Sequence, residues 1–252
     1  MTKGFYNLTS GMLSQGRRLD VIANNMTNLS TAGYKAETYT DSTFEEVLMS
    51  RVGNKDKSGA TVIGEESYIL APDQFYVDYT QGSFKETGLT LDFAIQGDGF
   101  FAIDTGDGIQ YTRGGNFSLN EQGQLYLSGH GLVLGTDGQP INLTTDQIRA
   151  DSSGRIYTQD GGYYLGQIGV YSFADNGQLA KADSGLFDAN GQQAQAAQNT
   201  QVLWGWVEES NVDMLKEMTR MLTAQRSLQS GAQVLKLYDN LLTKATTELG
   251  RL

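Results

Sequence analysis

Apolar side chains near the N-terminus recur at alternating steps of three and four residues, the heptad spacing of a helix that presents one seam to a partner. The series comprises Phe5, Leu8, Met12, Gln15, Leu19, Ile22, Met26 and Leu29. It predicts a helix from about residue 5 to 28. Just beyond it, Gly33 is predicted to take a positive φ, because glycine lacks the Cβ that penalises the left-handed region. Alanine there is expected to cost roughly 1 kcal/mol and valine more.

A second seam with the same spacing lies near the C-terminus. It comprises Met214, Met218, Met221, Gln225, Leu228, Ala232, Leu235, Tyr238 and Leu242. A helix over about residues 211–245 is predicted, beginning near Asn211, because Ser210 and Asp213 have the spacing of a capping box. We expect the two helices to pair with each other. Two amphipathic helices packed on an ordinary globular core would show the same periodicity.

Between the helical stripes the pattern changes to short runs of β-branched and aromatic residues, which are typical of strands. These runs lie at 75–79, 91–95, 100–103, 116–119, 124–127, 168–173 and 202–207. The connectors between them combine Asp or Asn with Gly, residues that tolerate the positive φ of tight turns. The sequence therefore predicts an antiparallel, hairpin-rich region.

The predicted fold class is α+β, with paired N- and C-terminal helices forming a coiled-coil-like domain and an inserted antiparallel β-rich domain. Residues 1–35 are expected to form the first helical segment, and residues 208–252 the C-terminal helix that pairs with it. The β-rich domain is expected at 76–207. Residues 36–75, which include the polar, Gly-containing segment 53–59, are expected to form an extended or flexible connector.

Net charge of −11 is concentrated in the middle of the chain. Residues 61–207 carry five basic against seventeen acidic side chains, whereas residues 1–60 carry seven against six and residues 208–252 six against six. Near-neutral ends are able to pack against each other and against copies of themselves without strong repulsion. Duplex nucleic acid is an unfavourable partner, because no basic face is present to neutralise phosphates.

Several classes of site and location are disfavoured by the sequence. No apolar run approaches the roughly 18 residues of a membrane-spanning helix, so no membrane insertion is expected. The N-terminal residues lack the apolar core of a cleavable secretory signal. With no cysteine and only one histidine, His130, the chain lacks the usual ligands of a zinc site. No cofactor is expected.

Carboxylates beside glycines raise the question of catalysis. Asp98, Asp104, Asp107 and Asp137 could form a carboxylate pair for glycoside hydrolysis, but each adjoins glycine, where Asp is the expected turn residue. They also lack the alternating order of a calcium loop. We therefore predict a protein that is not an enzyme. A secreted, β-rich carbohydrate-active enzyme or adhesin with helical ends remains an alternative of another class.

Three ordered motifs resemble the bacterial flagellar rod, hook and hook-associated axial proteins. The first is ANNMTNLSTAGYK at 23–35, and the last is SNVD at 210–213 with EMT at 217–219 and AQR at 224–226. The middle motif, similar to the rod and hook members in particular, is LDFAIQGDGFF at 91–101, then YTRGGNF at 111–117 and GQL at 123–125. Together the motifs span nearly the whole chain.

The resemblance implies a structural subunit of the flagellar rod, exported by the flagellar type III apparatus without signal cleavage. It would polymerise in the periplasm, with copies of itself and neighbouring rod proteins, into a helical drive shaft. Chain length, GHG at 129–131 and DSGLF at 183–187 favour the FlgF-type proximal rod protein. A FlgG-type distal rod protein or a short hook-like axial protein is the alternative.

The assembly interface is expected to combine the helical seams with the N-terminal motif. Its predicted residues are Phe5, Leu8, Met12, Leu19, Ile22, Asn24, Asn25, Met26, Gly33, Tyr34, Met214, Met218, Met221, Gln225, Leu228, Leu235 and Leu242.

Overall fold

The computed structural model describes residues 2–43, 47–51, 61–66, 70–182, 185–198 and 200–249. The chain divides into two compact units. Unit 1 contains residues 1–26, 37–76 and 213–252, and unit 2 contains residues 27–36 and 77–212. The polar segment 53–59 and the first two residues of the motif at 183–187 fall outside the described residues.

Two long helices dominate unit 1. Helix α1 spans Thr2–Thr27 and helix α2 spans Met214–Leu249. At 1.5 Å per residue their lengths are about 39 Å and 54 Å. Within the described ranges, no helix combines the length and apolarity that crossing a membrane requires. The predicted N-terminal and C-terminal helices are thus confirmed as elements of an α+β fold.

The first residue of α2 differs from the prediction. Asp213, rather than Ser210, is the N-cap: its Oδ1 accepts hydrogen bonds from Leu215 N–H at 3.0 Å and Lys216 N–H at 3.2 Å. Two orphan amides of the first turn are satisfied in this way. Asn211 bonds elsewhere, so the helix begins at Met214 and not near Asn211.

Four strands accompany the helices between residues 37 and 77. They are β1 (Glu37–Thr43), β2 (Val47–Arg51), β3 (Thr61–Glu66) and β4 (Leu70–Val77). Strand β1 pairs with β4, and β2 pairs with β3 in an antiparallel hairpin. Tyr39 packs on Phe75 with ring centroids 5.7 Å apart.

Unit 2 is made almost wholly of short antiparallel strands. They are β5 (Phe84–Glu86), β6 (Phe93–Gln96), β7 (Phe100–Asp104), β8 (Ile109–Thr112), β9 (Phe117–Leu119), β10 (Leu125–Leu127), β11 (Gly131–Val133), β12 (Ile148–Ala150), β13 (Arg155–Thr158), β14 (Tyr164–Gln167), β15 (Val170–Ser172), β16 (Ala180–Lys181), β17 (Phe187–Asp188), β18 (Gln195–Ala196), β19 (Gln201–Trp204) and β20 (Trp206–Glu208). The largest sheet has the order β16-β17-β8-β7-β11-β10-β9, with β15 and β18 attached through β7. The predicted β-rich middle is confirmed.

Strand β7 is buried on both faces and supplies two apolar clusters. Phe101 and Ile103 belong to the main core, which also contains Phe117. Phe100 and Ala102, on the opposite face, belong to a second cluster. Because successive strand residues point to opposite faces, one apolar run serves both cores.

The apolar run at 202–207, predicted as one strand, is two strands in two sheets. Gly205 has φ +76°, and its bend separates β19, which pairs with β6, from β20, which pairs with β5. The last strand therefore changes sheet just before the chain leaves unit 2 for α2.

Candidate functional site

Side chains of α1 and α2 meet in two places within unit 1. Near the start of α1, Phe5 and Met12 line an apolar groove of about 430 Å³ together with Leu235 and Leu242 of α2. A Cβ placed on Gly231 would lie 3.1 Å from Met12 Cγ, so this glycine admits a close approach of the helices.

Near the end of α1 a smaller cavity of about 210 Å³ lies among α1, β1 and α2. Ile22 and Arg18 line it from α1, and Glu217 and Arg220 from α2. Glu217 Oε1 accepts a 2.6 Å hydrogen bond from Arg220, while its Oε2 is buried with no hydrogen-bond partner among the described residues.

Helix α2 buries a stripe that is displaced from the predicted one. Glu217 and Ala224 are buried, and Gly231 is half-buried. These three occupy the buried face where Met218, Gln225 and Ala232 were predicted, and the latter three are exposed. Small residues at 224 and 231 bring the helices close, which apolar periodicity alone does not reveal. Of the other predicted α2 residues, those half-buried on this face are Met221, Leu228 and Leu235, while Met214 and Leu242 are exposed.

Helix α1 buries its predicted seam to different depths. Ile22 is 3% exposed, and Phe5 is 43% exposed. The half-buried members of this seam in α1 are Leu8, Met12, Gln15, Leu19 and Met26. A second line of α1 residues, not predicted, contacts β1: the buried Ser14 donates through Oγ to Asp41 Oδ1 at 2.6 Å, and the partly exposed Arg18 pairs with Asp41 Oδ2 at 2.8 Å.

Asn25 of the N-terminal motif has a structural role within unit 1. Its Nδ2 donates to Glu37 O at 2.8 Å, and its Oδ1 accepts from Glu37 N–H at 2.9 Å. The side-chain amide thus pairs with the first residue of β1 as a neighbouring strand would. Asn25 is 1% exposed, while Asn24 beside it is exposed.

Gly33 and Tyr34, at the end of the same motif, are buried in unit 2. The prediction for Gly33 is confirmed: its φ is +69°. Its N–H donates to Glu208 O at 2.8 Å, and a Cβ would lie 2.1 Å from Gly114 N. The Tyr34 ring carries the ammonium of Lys181 at 4.0 Å from its centroid. The contacts described for Asn25, Gly33 and Tyr34 are intramolecular, and a role for these residues at a subunit interface stays a prediction.

A buried ion triad lies beside Gly33. Lys35 Nζ is 2.6 Å from Glu208 Oε1, and Arg113 Nη1 is 3.3 Å from Glu208 Oε2. All three side chains are less than 5% exposed. Lys35 Nζ also donates to Thr80 O at 2.8 Å, and Gly82 N–H donates to Glu208 Oε1 at 2.9 Å.

Burial disfavours the charged forms of the two basic side chains of the triad. Burial lowers the pKa of the Lys35 ammonium, and the attraction and hydrogen bond of Glu208 oppose that shift. Burial likewise lowers the pKa of Arg113, again opposed by Glu208. Lys35 and Arg113 belong to the motifs at 23–35 and 111–117, and the sequence did not predict that they pair with Glu208. The signal that could have found the triad is an isolated charge within an otherwise apolar or Gly-rich motif.

Two of the four aspartates considered for catalysis, Asp104 and Asp137, accept hydrogen bonds from amides of their own turns. Asp104 Oδ1 accepts from Gly106 N–H at 2.9 Å, and Asp137 Oδ1 from Gln139 N–H at 3.2 Å. Asp151 Oδ1 accepts from two amides of its own turn. In the parts of the chain that the structure describes, no three His, Cys, Asp or Glu side chains lie close enough to hold a metal ion.

Three models of known protein families match the chain in order. Residues 5–35 match the family described as flagella basal body rod protein. Residues 94–147 match the flagellar hook protein FlgE/F/G D1 domain, and residues 205–248 the C-terminal region of the flagellar basal body rod FlgEFG proteins. The first and last matches cover most of α1 and α2, and the middle one covers the centre of the largest sheet.

Curated relatives match over nearly their entire length. The flagellar basal-body rod protein FlgG of Bacillus subtilis is 35% identical over 96% of this chain and 97% of its own. The flagellar basal-body rod protein FlgF of Mesorhizobium japonicum is 34% identical over 99% of both chains. A flagellar hook-basal body complex protein of Bacillus subtilis, FlhO, is 33% identical over the whole of both. The chain therefore belongs to the flagellar basal-body rod protein family, as a structural subunit of the FlgF/FlgG type.

Proposed function

We propose that this rod subunit polymerises through its two terminal helices, which pair as an antiparallel coiled coil and dock on copies of themselves. The observation that carries the proposal is a second, uncovered apolar face on α2. Leu215, Leu222 and Leu237 are 78%, 53% and 62% exposed. At 100° per residue they lie opposite Glu217 and Ala224, the residues that α2 buries.

An uncovered stripe of this kind is unfavourable in a soluble monomer. Large apolar side chains exposed along one side of a helix favour an interaction site, and burying each leucine contributes about 1.5–3 kcal/mol. The apolar groove between Phe5, Met12, Leu235 and Leu242 offers a complementary depression on the same helix pair. A stripe on one copy that seats in a groove on the next is a head-to-tail contact, and such contacts build helical tubes when they do not close into rings.

The proposed location is the periplasmic rod, which the subunit reaches through the flagellar type III export apparatus. Near-neutral terminal segments allow like helices to pack, and the acidic middle remains solvated. Relatives named FlgF and FlgG match at nearly equal identity, so the proximal-rod position is a prediction of its own. The test is to express this protein in strains that lack either FlgF or FlgG. The proximal-rod position predicts that the strain lacking FlgF regains motility. Membership of a family of structural proteins argues against the carbohydrate-active alternative.

Assembly of purified protein tests the helix proposal. The double variant Leu222→Gln with Leu237→Gln should keep the helical circular dichroism of the monomer and lose polymerisation, because both side chains are exposed in the single chain. Gln229→Ser, an exposed change on the same side of α2, is the matched control and should polymerise normally. Normal filaments from the double variant would show that this face of α2 is not an interface.

A further inference from the structure

We infer that unit 2 contains a mechanical clamp, the junction clamp, formed by Gly33, Lys35, Glu208 and Asn211, which carries load directly between the two end segments of unit 2 and shields the strands of unit 2 from it. The inference rests on the proposed function, in which the terminal helices bear the forces of a rotating shaft. It assigns to particular residues the route by which such forces cross unit 2.

Connectivity defines the load that the clamp meets. Helix α1 continues directly into residues 27–36 of unit 2, and residues 208–212 of unit 2 lead directly into α2. Tension between the helices therefore enters unit 2 through these two segments. Between them in sequence lie residues 37–76 of unit 1 and the strands of unit 2 at 77–207, which would be stretched if the segments were not joined.

The two segments are joined by three direct bonds across more than 170 residues of sequence. Gly33 N–H donates to Glu208 O at 2.8 Å. Ala36 N–H donates to Asn211 Oδ1 at 2.7 Å, and Lys35 Nζ pairs with Glu208 Oε1 at 2.6 Å. Because several bonds link the same pair of segments, a force that separates the segments loads them together.

Residues 78–82, the third segment at this point, are tied to the same side chains. Asn211 Nδ2 donates to Asp78 O at 2.7 Å and to Thr80 O at 3.1 Å. Asp78 N–H donates to Ala36 O at 2.8 Å. The amide of Asn211 thus connects two segments at once, which explains an asparagine just ahead of the helix whose N-cap is Asp213.

The buried ion triad is better explained by a clamp than by a contribution to core stability. Replacing a buried ion pair by apolar side chains is often neutral or stabilising, so stability alone does not account for the triad. Charged hydrogen bonds instead fix direction and distance, and they are stronger than neutral ones. Arg113 also donates to Ile95 O of the core strand β6 at 3.4 Å, which anchors Glu208 to the main core of unit 2.

Hydrogen exchange on the full-length monomer tests the clamp without reference to the rod. In Glu208→Gln, the amides of Gly33 and Ala36 should exchange about tenfold faster or more than in wild type, relative to the core amide of Ile103. Asn211→Ala, which removes no charge, should accelerate the same amides and serves if Glu208→Gln does not fold. Glu209→Gln, the exposed neighbour, is the matched control and should change none of them.

Two outcomes of the exchange experiment would overturn the clamp. One is unchanged exchange at Gly33 and Ala36 in both variants. The other is equal acceleration at Ile103, which would make these residues ordinary parts of one cooperative core. A second measurement addresses load: when the chain is pulled from its termini, residues between 36 and 208 should begin to extend at lower force in both variants than in Glu209→Gln. Equal forces would contradict the inference.

Failure of the clamp and failure of the proposed function are distinguishable. If the clamp is wrong, exchange at Gly33 and Ala36 fails to respond while the terminal-helix variants still abolish polymerisation. If the proposed polymerisation is wrong, Leu222→Gln with Leu237→Gln assembles normally while the clamp amides still respond to Glu208→Gln.

Discussion

Replacing Gly33 by alanine should destabilise unit 2 far more than its φ alone implies. A non-glycine residue in the left-handed region costs about 1–2 kcal/mol. At Gly33 the added Cβ would also lie 2.2 Å from Arg113 C and 2.1 Å from Gly114 N, both backbone atoms that have no rotamer with which to yield. Forced overpacking of this kind costs about 1–3 kcal/mol or more.

Relief of this clash would displace the backbone of residue 33, which donates a hydrogen bond. Moving residue 33 away from Arg113 weakens the Gly33 N–H bond to Glu208 O, worth about 0.5–1.5 kcal/mol. The three costs together give about 3–6 kcal/mol, a large share of the roughly 5–15 kcal/mol that stabilises a typical domain. Valine should cost more than alanine, and motility should fall in the order Gly, Ala, Val.

Urea unfolding of unit 2 measures how much Gly33→Ala lowers its free energy of unfolding. Trp204 and Trp206, the two tryptophans of the chain, both lie in unit 2, so their fluorescence reports the unit that holds Gly33. Gly88→Ala is the matched control: Gly88 has φ +68°, and no atom lies within 4 Å of its added Cβ. It should lose only the conformational cost of about 1–2 kcal/mol. Equal losses at the two sites would refute the close approach of residue 33 to residues 113 and 114.

Three further predictions follow from the helices and turns. Ile22→Asp, at a site 3% exposed, should lower the free energy of unfolding by about 3 kcal/mol or more and abolish assembly. Leu13→Asp, at a site 61% exposed, is the control and should leave the thermal midpoint of the monomer nearly unchanged. Equal midpoints for the two variants would exclude Ile22 from the core. Asp104→Asn with Asp107→Asn should shift stability by less than about 0.5 kcal/mol and leave swimming intact, because an Asn oxygen still accepts the amide of Gly106. Lost swimming with normal rods would revive a metal or catalytic role. Circular dichroism should show more helical signal in the polymer than in the monomer, because long helices with uncovered apolar faces are only partly stable alone. Identical spectra would contradict this gain of helix on assembly.

Local pattern determined the elements of this protein well wherever one face of an element was buried. The heptad steps of α1 predicted its extent, because Ile22 and its neighbours face other elements at helical period. Asp and Asn before glycine predicted turns correctly, since their side chains satisfy nearby amides without tertiary help. The motifs at both ends and in the middle were enough to indicate the family.

Tertiary structure decided what depends on contacts distant in sequence. Strand β1 at 37–43 consists almost entirely of polar residues, and its Asp41 bonds to Ser14 and Arg18 of α1, so apolar periodicity does not reveal it. Glu217 and Ala224, rather than Met218 and Gln225, are the buried residues of α2, and Gly231 admits the close approach of Met12 of α1. A small or charged residue at a buried helix contact is not recognisable from apolar periodicity. Lys35, Arg113 and Glu208 lie far apart in sequence, and a charge is recognisable as buried only when the chain has folded around it. The conformation of Gly33 could be predicted from the sequence because it is local, but its tight contact with Arg113 and Gly114 arises only from the folded chain.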